Sequence, residues 1–272
     1  MQHPRLLALT ALRTAEPITK VAATRAASIQ AGSASLAMEA VRVPGDEAGV
    51  PGRLEQPVLV PAISMPRRSP FPTEGRAALV HSICHIEYNA INLALDAVWR
   101  FDGMPEAYYR DWLRVADEEA LHFTLLQDHL REMGWEYGDF TAHDGLWSMC
   151  NKTKDDIVAR MALVPRTLEA RGLDATPLVQ VKLRRVDTPD ALRAVEILDI
   201  ILRDEVGHVA IGNHWYRWLC ERDGLDPVAH YRRLYQQYEA PRLRPPYNLE
   251  ARTRAGFTEE ELNDLGELWG PG

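Results

Sequence analysis

Glu-x-x-His occurs twice in this chain, as Glu119-Ala120-Leu121-His122 and as Glu205-Val206-Gly207-His208, and each copy follows a lone glutamate. The lone residues are Glu87 and Glu169, which precede their motifs by 32 and 36 positions. That interval suits an antiparallel helix pair with its loop. On a helix, a spacing of three sets carboxylate and imidazole one turn apart on the same face. With 21 Glu and 9 His in the chain, roughly 0.7 such matches arise by chance, so one copy carries little weight. The repetition of the whole pattern carries the argument.

Hydrophobic periodicity supplies the helices on which these residues sit. Between 76 and 101, Val80, Ile83, Ala90, Ala94, Ala97 and Phe101 follow one stripe. A second helix runs over 105–133, opened by Pro105 and closed by Gly134, with Trp112, Val115, Ala116, Phe123, Leu126, Leu130 and Met133 on its apolar side. A third is expected over 153–171, ending at Gly172, and a fourth over 189–222. A loop of turn residues covers Gly138 to Gly145. A further helix covers 227–240, and Thr258-x-x-Glu261 is a capping box for a short last one. No strand pattern of comparable length occurs, so the expected class is all-α. Both Glu-x-x-His pairs and both lone glutamates interrupt apolar stripes and therefore face inward. Pro165, one turn before Glu169, removes a backbone hydrogen bond and should loosen its helix.

Four carboxylates buried together are costly unless cations compensate them. Two divalent ions would neutralise Glu87, Glu119, Glu169 and Glu205, with His122 and His208 completing the coordination. Mixed carboxylate and imidazole ligation suits iron or manganese better than structural zinc. Glu118 and Asp204 each precede a ligand glutamate and are candidates to accept the second N–H of a ligand histidine. His81, His85, His129, His143 and His214 have no such pairing and are expected to be structural or exposed. Cys84 and Tyr88, which flank Glu87, are expected in the core.

Composition narrows the remaining classes. The 272 residues carry a formal net charge of −8 and 46% hydrophobic residues. This balance excludes extensive disorder and gives no overall field for a nucleic-acid backbone. Cys84, Cys150 and Cys220 form no CxxC pair or disulfide framework, which indicates a reducing, cytoplasmic compartment. The apolar run Leu6 to Leu9 is far too short to span a bilayer. Leu6, Leu9, Ala11, Leu12 and Ala15 instead sit at helical spacing until Glu16-Pro17 interrupts, within an N-terminal helical segment over 1–41. Seven prolines, among them Pro44 and Pro70, make 42–75 an extended arm lying over the body. Residues 76–222 form the bundle, and 223–272 a helical extension packed on it.

The stretches HSICHIEYNAI, DWLRVADEEALHFTLL, YGDFTAHDGLW, ALVPRTLEARGLD and ILRDEVGHVAIGNHW, within residues 81–215, resemble the ferritin-like superfamily of di-iron carboxylate proteins. More closely, they resemble an uncharacterised ferritin-like family catalogued as a domain of unknown function. The resemblance implies an antiparallel four-helix bundle with two iron ions between its helix pairs. Manganese, or a mixed manganese–iron pair, would suit the same ligands. It further implies a di-iron oxygenase or oxidase with dioxygen as co-substrate, an unidentified small-molecule or modified-nucleoside substrate, and an external electron donor if it is an oxygenase. A ferroxidase or peroxide-scavenging protein and a non-catalytic metal-binding scaffold are the alternatives. No membrane partner is expected, and a homodimer is compatible with the chain.

Overall fold

The structure, a computed structural model, describes residues 3–33, 36, 38, 45, 47–66 and 68–267. Residues 39–44, with Pro44 of the proline-rich segment, and residues 268–272 at the end of the C-terminal segment lie outside the described residues. Among the described residues every regular element is a helix, and the one β-type pairing is an isolated bridge between Leu59 and Ala142. No helix among them is long and apolar enough to cross a membrane. The chain divides into two compact units, Met1–Trp147 with Thr188–Ile197, and Ser148–Asp187 with Leu198–Gly272.

The first unit begins with α1 (Pro4–Arg13), where the His3 ring accepts the Arg5 N–H and Pro4 occupies the first turn. Its inner face is Ala8, Leu9, Ala11 and Leu12. The chain breaks at Thr14, and Glu16 then caps α2 (Pro17–Ser33) by accepting the Ile18 and Thr19 N–H groups at 3.0 and 2.7 Å. Ala15 therefore lies beyond the stripe in which the periodicity placed it. The long helices α3 (Thr73–Arg100) and α4 (Glu106–Glu132) pack side by side, with α1 on α3 and α2 on α4.

One stripe understates α3, which is buried on every side from Asn89 to Trp99. Asp96 and Asn92 accept from cations within the fold. Asp96 accepts the Arg100 guanidinium at 2.7 and 3.0 Å, and Asn92 accepts the Lys20 ammonium. Lys20 is fully buried and also donates to the carbonyls of Leu12 and Gly52, at 3.0 and 3.2 Å. Burial, and then the charge of Arg53, pulls its amine down to about 7. Gly52 lies so close to the end of α1 that a Cβ there would meet the Arg13 carbonyl at 2.1 Å. The proline-rich segment is thus tied to α1 at Gly52 and, through Val60 N–H to the Ala142 carbonyl (2.8 Å), to the loop after α4. A short α5 (Gly145–Lys152) closes that loop, where turn residues alone suggested none.

In the second unit, α6 (Ile157–Leu163) is capped by Asp156, which accepts the Ala159 N–H at 2.9 Å. At Pro165 the helix widens into a π turn, Val164–Glu169, because proline supplies no N–H there. It then continues as α7 (Ala170–Val186). The expected stop at Gly172 is not used. Leu173 is buried with Ala170, Val209, Ala251, Ala255 and Phe257, and Arg252 binds Asp174 at 2.6 and 3.0 Å. This packing outweighs the helix cost of one glycine, about 1 kcal/mol. The helix ends instead at Asp187, in the left-handed region at φ 55°.

α8 (Pro189–Asp223) starts in the first unit and runs through the second. α9 (Pro227–Gln237) packs on α6, α10 (Leu249–Arg254) on α7, and α11 (Glu259–Glu267) on α10. The Thr258–Glu261 capping box forms, with Thr258 N–H donating to Glu261 at 2.8 Å and Glu261 N–H to Thr258 Oγ1 at 3.3 Å. Gly212 of α8 faces the π turn, and a Cβ there would lie 2.5 Å from Pro165 Cβ. Gly212→Ala is expected to destabilise by about 1–3 kcal/mol, the ordinary range for overpacking. Urea unfolding would measure it, and an unchanged midpoint would refute the close approach.

Candidate metal centre

Glu87 projects from α3, and Glu119 and His122 from one turn of α4. Their relative exposures are 3, 0 and 0%. The helices place them there because Val80, Ala90 and Ala94 on α3 and Trp112, Val115 and Ala116 on α4 share the buried side. His122 Nδ1 lies 3.2 Å from Glu119 Oε2 and 3.3 Å from Glu87 Oε2. One ligand atom from each of the three falls within 4.8 Å of the others.

Two buried carboxylates around one imidazole are an unbalanced set. Burial, and then the charge of Glu119, pushes the Glu87 carboxyl well above its usual range. For His122, burial alone would favour the neutral ring, but the hydrogen bonds and charges of Glu119 and Glu87 carry it up to about 11. Without a cation the trio therefore holds protons at neutral pH. The donor set of carboxylate oxygen and imidazole nitrogen, shielded from water, fits a divalent metal ion that would replace those protons.

The sign for stability follows from the raised His122 value. This contribution is fully present below the ordinary histidine value near 6.5 and is lost as pH rises through about 11. The metal-free protein should thus become less stable from neutral to alkaline pH. Metal uptake near pH 7 should release protons, because the coordinating imidazole must be neutral. Calorimetric titration of Mn(II) in buffers of different ionisation enthalpy measures this release. Enthalpies independent of buffer would contradict it.

In the second unit, Glu169 is the last residue of the π turn and is 8% exposed. Glu205 and His208 stand one turn apart on α8, 7 and 0% exposed, with His208 Nδ1 3.8 Å from Glu205 Oε1. All six residues singled out by the repeated pattern are thus buried. Glu118 is half-buried on α4. Asp204 accepts the guanidinium of its neighbour Arg203 at 2.8 and 3.0 Å.

The other histidines have local partners. His81 Nε2 accepts the Gly138 N–H, His129 Nε2 lies 2.9 Å from the Asp190 carbonyl oxygen, and His143 Nδ1 accepts the Gly145 N–H. His214 is exposed beside Trp215. Cys84 is fully buried with its thiol toward the Phe123 carbonyl, and Tyr88 donates to the Ala15 carbonyl.

Periodicity did not single out Arg166, which lies within the π turn and is 2% exposed. Its guanidinium donates to Asn213 Oδ1 at 2.6 Å, pairs with Glu261 at 2.8 Å and lies over the rings of Tyr216, Tyr231 and Phe257. It fixes the turn that carries Glu169 against α8, α9 and α11. The available signal was its position one turn before Glu169, which by itself names no partner.

Among known proteins, the family model described as "Protein of unknown function (DUF455)" matches residues 13–263. A protein of Haemophilus influenzae described as "Uncharacterized protein" is 51% identical over 222 residues, covering 79% of this chain and 76% of its own. No solved structure matches.

Proposed function

We propose, from the premise that this chain belongs to the DUF455 family, that it is a ferritin-like, di-metal oxygenase or oxidase. Glu87, Glu119, His122, Glu169, Glu205 and His208 would hold two ions, with iron as the first choice and manganese or a mixed pair suiting the same donors. The bundle would lie within residues 76–222, between the 1–41 segment with the 42–75 arm and the 223–272 extension. The observation that carries the reading is the buried Glu87–Glu119–His122 cluster, which is electrostatically unbalanced without a cation. The repeated spacing of Glu169 with Glu205 and His208, all buried, supports a second half of the same site.

When bound, the metal pair would supply the electrons that reduce dioxygen while an organic substrate is oxidised. The protein's own part is to hold the donors and keep water away. The carboxylates accept cation charge in a buried setting where electrostatic interactions are strong. Glu169 sits at the end of a π turn, where the backbone is less tightly laddered than in an α-helix, so its carboxylate can adjust between binding modes. Glu118 and Asp204 are proposed to steady the ligand histidines. An oxygenase would draw on an external electron donor. The three cysteines, all buried and none in a disulfide, support a cytoplasmic setting.

Anaerobic loading of the metal-free protein with Fe(II), followed by dioxygen, tests the proposal. Two irons per chain and a dioxygen-dependent absorbance change are expected. Repeated Fe(II) turnover with ferric mineral would favour a ferroxidase. Little iron, or iron inert to dioxygen, would overturn the oxygenase reading and leave a scaffold.

A further inference from the structure

Tyr231 of α9 meets the π turn of the second unit at Thr167. This threonine is fully buried, and its Oγ1 donates to the Ala162 carbonyl of α6 at 2.8 Å. The same oxygen lies 2.8 Å from the Tyr231 hydroxyl. A carbonyl brings no proton, so the single threonine proton goes to Ala162 and the Tyr231 O–H must donate to Thr167. The two hydroxyls thus form a directed chain from α9 to the end of α6.

That chain depends on the register of the helix. Within an α-helix a threonine hydroxyl bonds back to a carbonyl three or four positions before it. Thr167 instead reaches five back, and so does the Ala170 N–H, which donates to the Pro165 carbonyl. Both bonds belong to the wider turn. A slip to the α-helical register would rotate the residues behind it by about 100° relative to α6. The Thr167 hydroxyl would then leave Tyr231, and Glu169 would leave its present face. Tyr231 is held where it is, 7% exposed, with the Tyr235 ring centroid at 6.0 Å and the Arg166 guanidinium 5.1 Å over its own ring.

We propose that Tyr231 is a positioning residue for the metal centre, its O–H holding Val164–Glu169 in the π register that presents the Glu169 carboxylate. This rests on the reading of Glu169 as a metal ligand and adds the group that sets its place. The hold acts on the backbone of the turn, through Thr167, and leaves the Glu169 side chain able to adjust.

The test titrates the metal-free, full-length chain with Mn(II), counting free ion by EPR, and follows hydrogen exchange of residues 164–169 before metal is added. Tyr231→Phe keeps the ring beneath Arg166 and removes the O–H alone. One of two Mn(II) ions should then bind about tenfold more weakly, the lower end of what partners of a ligand contribute. Exchange in the metal-free turn should quicken about five- to tenfold, the worth of one neutral hydrogen bond. Tyr235→Phe removes another phenol of α9, one that donates to the Pro241 carbonyl, and serves as the control for stability. It should shift the urea midpoint comparably while Mn(II) affinity and exchange of the turn stay as in the parent. Parental Mn(II) affinity in Tyr231→Phe, unchanged exchange of the turn, or an equal loss of affinity in Tyr235→Phe would each overturn the proposal and leave the metal reading standing. A parent that takes up no Mn(II) would overturn the metal reading and this proposal with it, even if exchange of the turn quickens.

Discussion

Glu119→Leu is expected to abolish metal uptake at its site and to lower the stability of the metal-free protein near neutral pH. Glu119 and Glu87 share one imidazole, and the hydrogen bond of Glu119 is the largest of the contributions that keep it protonated. Leucine removes that partner and leaves the buried imidazole with Glu87 alone of the two. Removing one partner from a buried charged cluster costs about 3–5 kcal/mol, and the retained Glu87 places this change toward the lower end. Loss of a direct ligand should lower metal affinity beyond the roughly 10–100-fold that outer partners cost. Thermal melts with chelator and with Mn(II) separate the two effects. The variant should melt below the metal-free parent and show no further rise with Mn(II), whereas the parent should gain. A variant that melts at or above the metal-free parent would show that the imidazole does not depend on Glu119.

Arg166→Met should be the most damaging single change in the second unit. The guanidinium has two charge-assisted or polar partners, Glu261 and Asn213, and three aromatic faces. Methionine keeps the apolar stem but leaves Glu261, 4% exposed at its side chain, with Arg217 at 2.6 Å as its remaining cation beside the Thr258 N–H. Breaking a buried pair by removing one partner costs about 3–5 kcal/mol, and the retained Arg217 places this change toward the lower end. Burial would raise the Glu261 carboxyl, but Arg166, then the Thr258 N–H and Arg217, hold it below its usual range. That part of the stability is therefore present above the ordinary glutamate value and lost as pH falls through the lowered one. Urea unfolding of Arg166→Met, Glu261→Leu and the double variant measures the coupling. The double variant should cost clearly less than the sum of the singles, and strict additivity would refute the pairing.

Much of the helical order is legible residue by residue. Pro4 and His3 open α1, Asp226 caps α9, the Thr258–Glu261 box opens α11, and Pro165 widens its helix, each through a local backbone hydrogen bond that one residue supplies or withholds. Gly172 shows the limit of the same logic. Its local preference favours a stop, yet Leu173 packing and the Arg252–Asp174 pair, made by residues 78 positions apart, carry the helix on to Val186. The break between α1 and α2 is signalled by Glu16-Pro17, and only its first residue, Thr14, is obscured because Ala15 continues the apolar period.

The doubled Glu-x-x-His and its preceding glutamates are a property of the sequence by itself, since a fixed helical repeat turns spacing into a shared face. That such residues must be compensated also follows without coordinates, from the cost of burying charge. Tertiary structure alone decided which groups do the compensating. Lys20 meets Asn92 across 72 residues, Arg166 meets Glu261 inside a cage of rings, and Arg53 meets Asn89 across 36. Hydrogen bonds and ion pairs act over about 3 Å, and one-dimensional order holds no record of which distant side chains folding will bring that close.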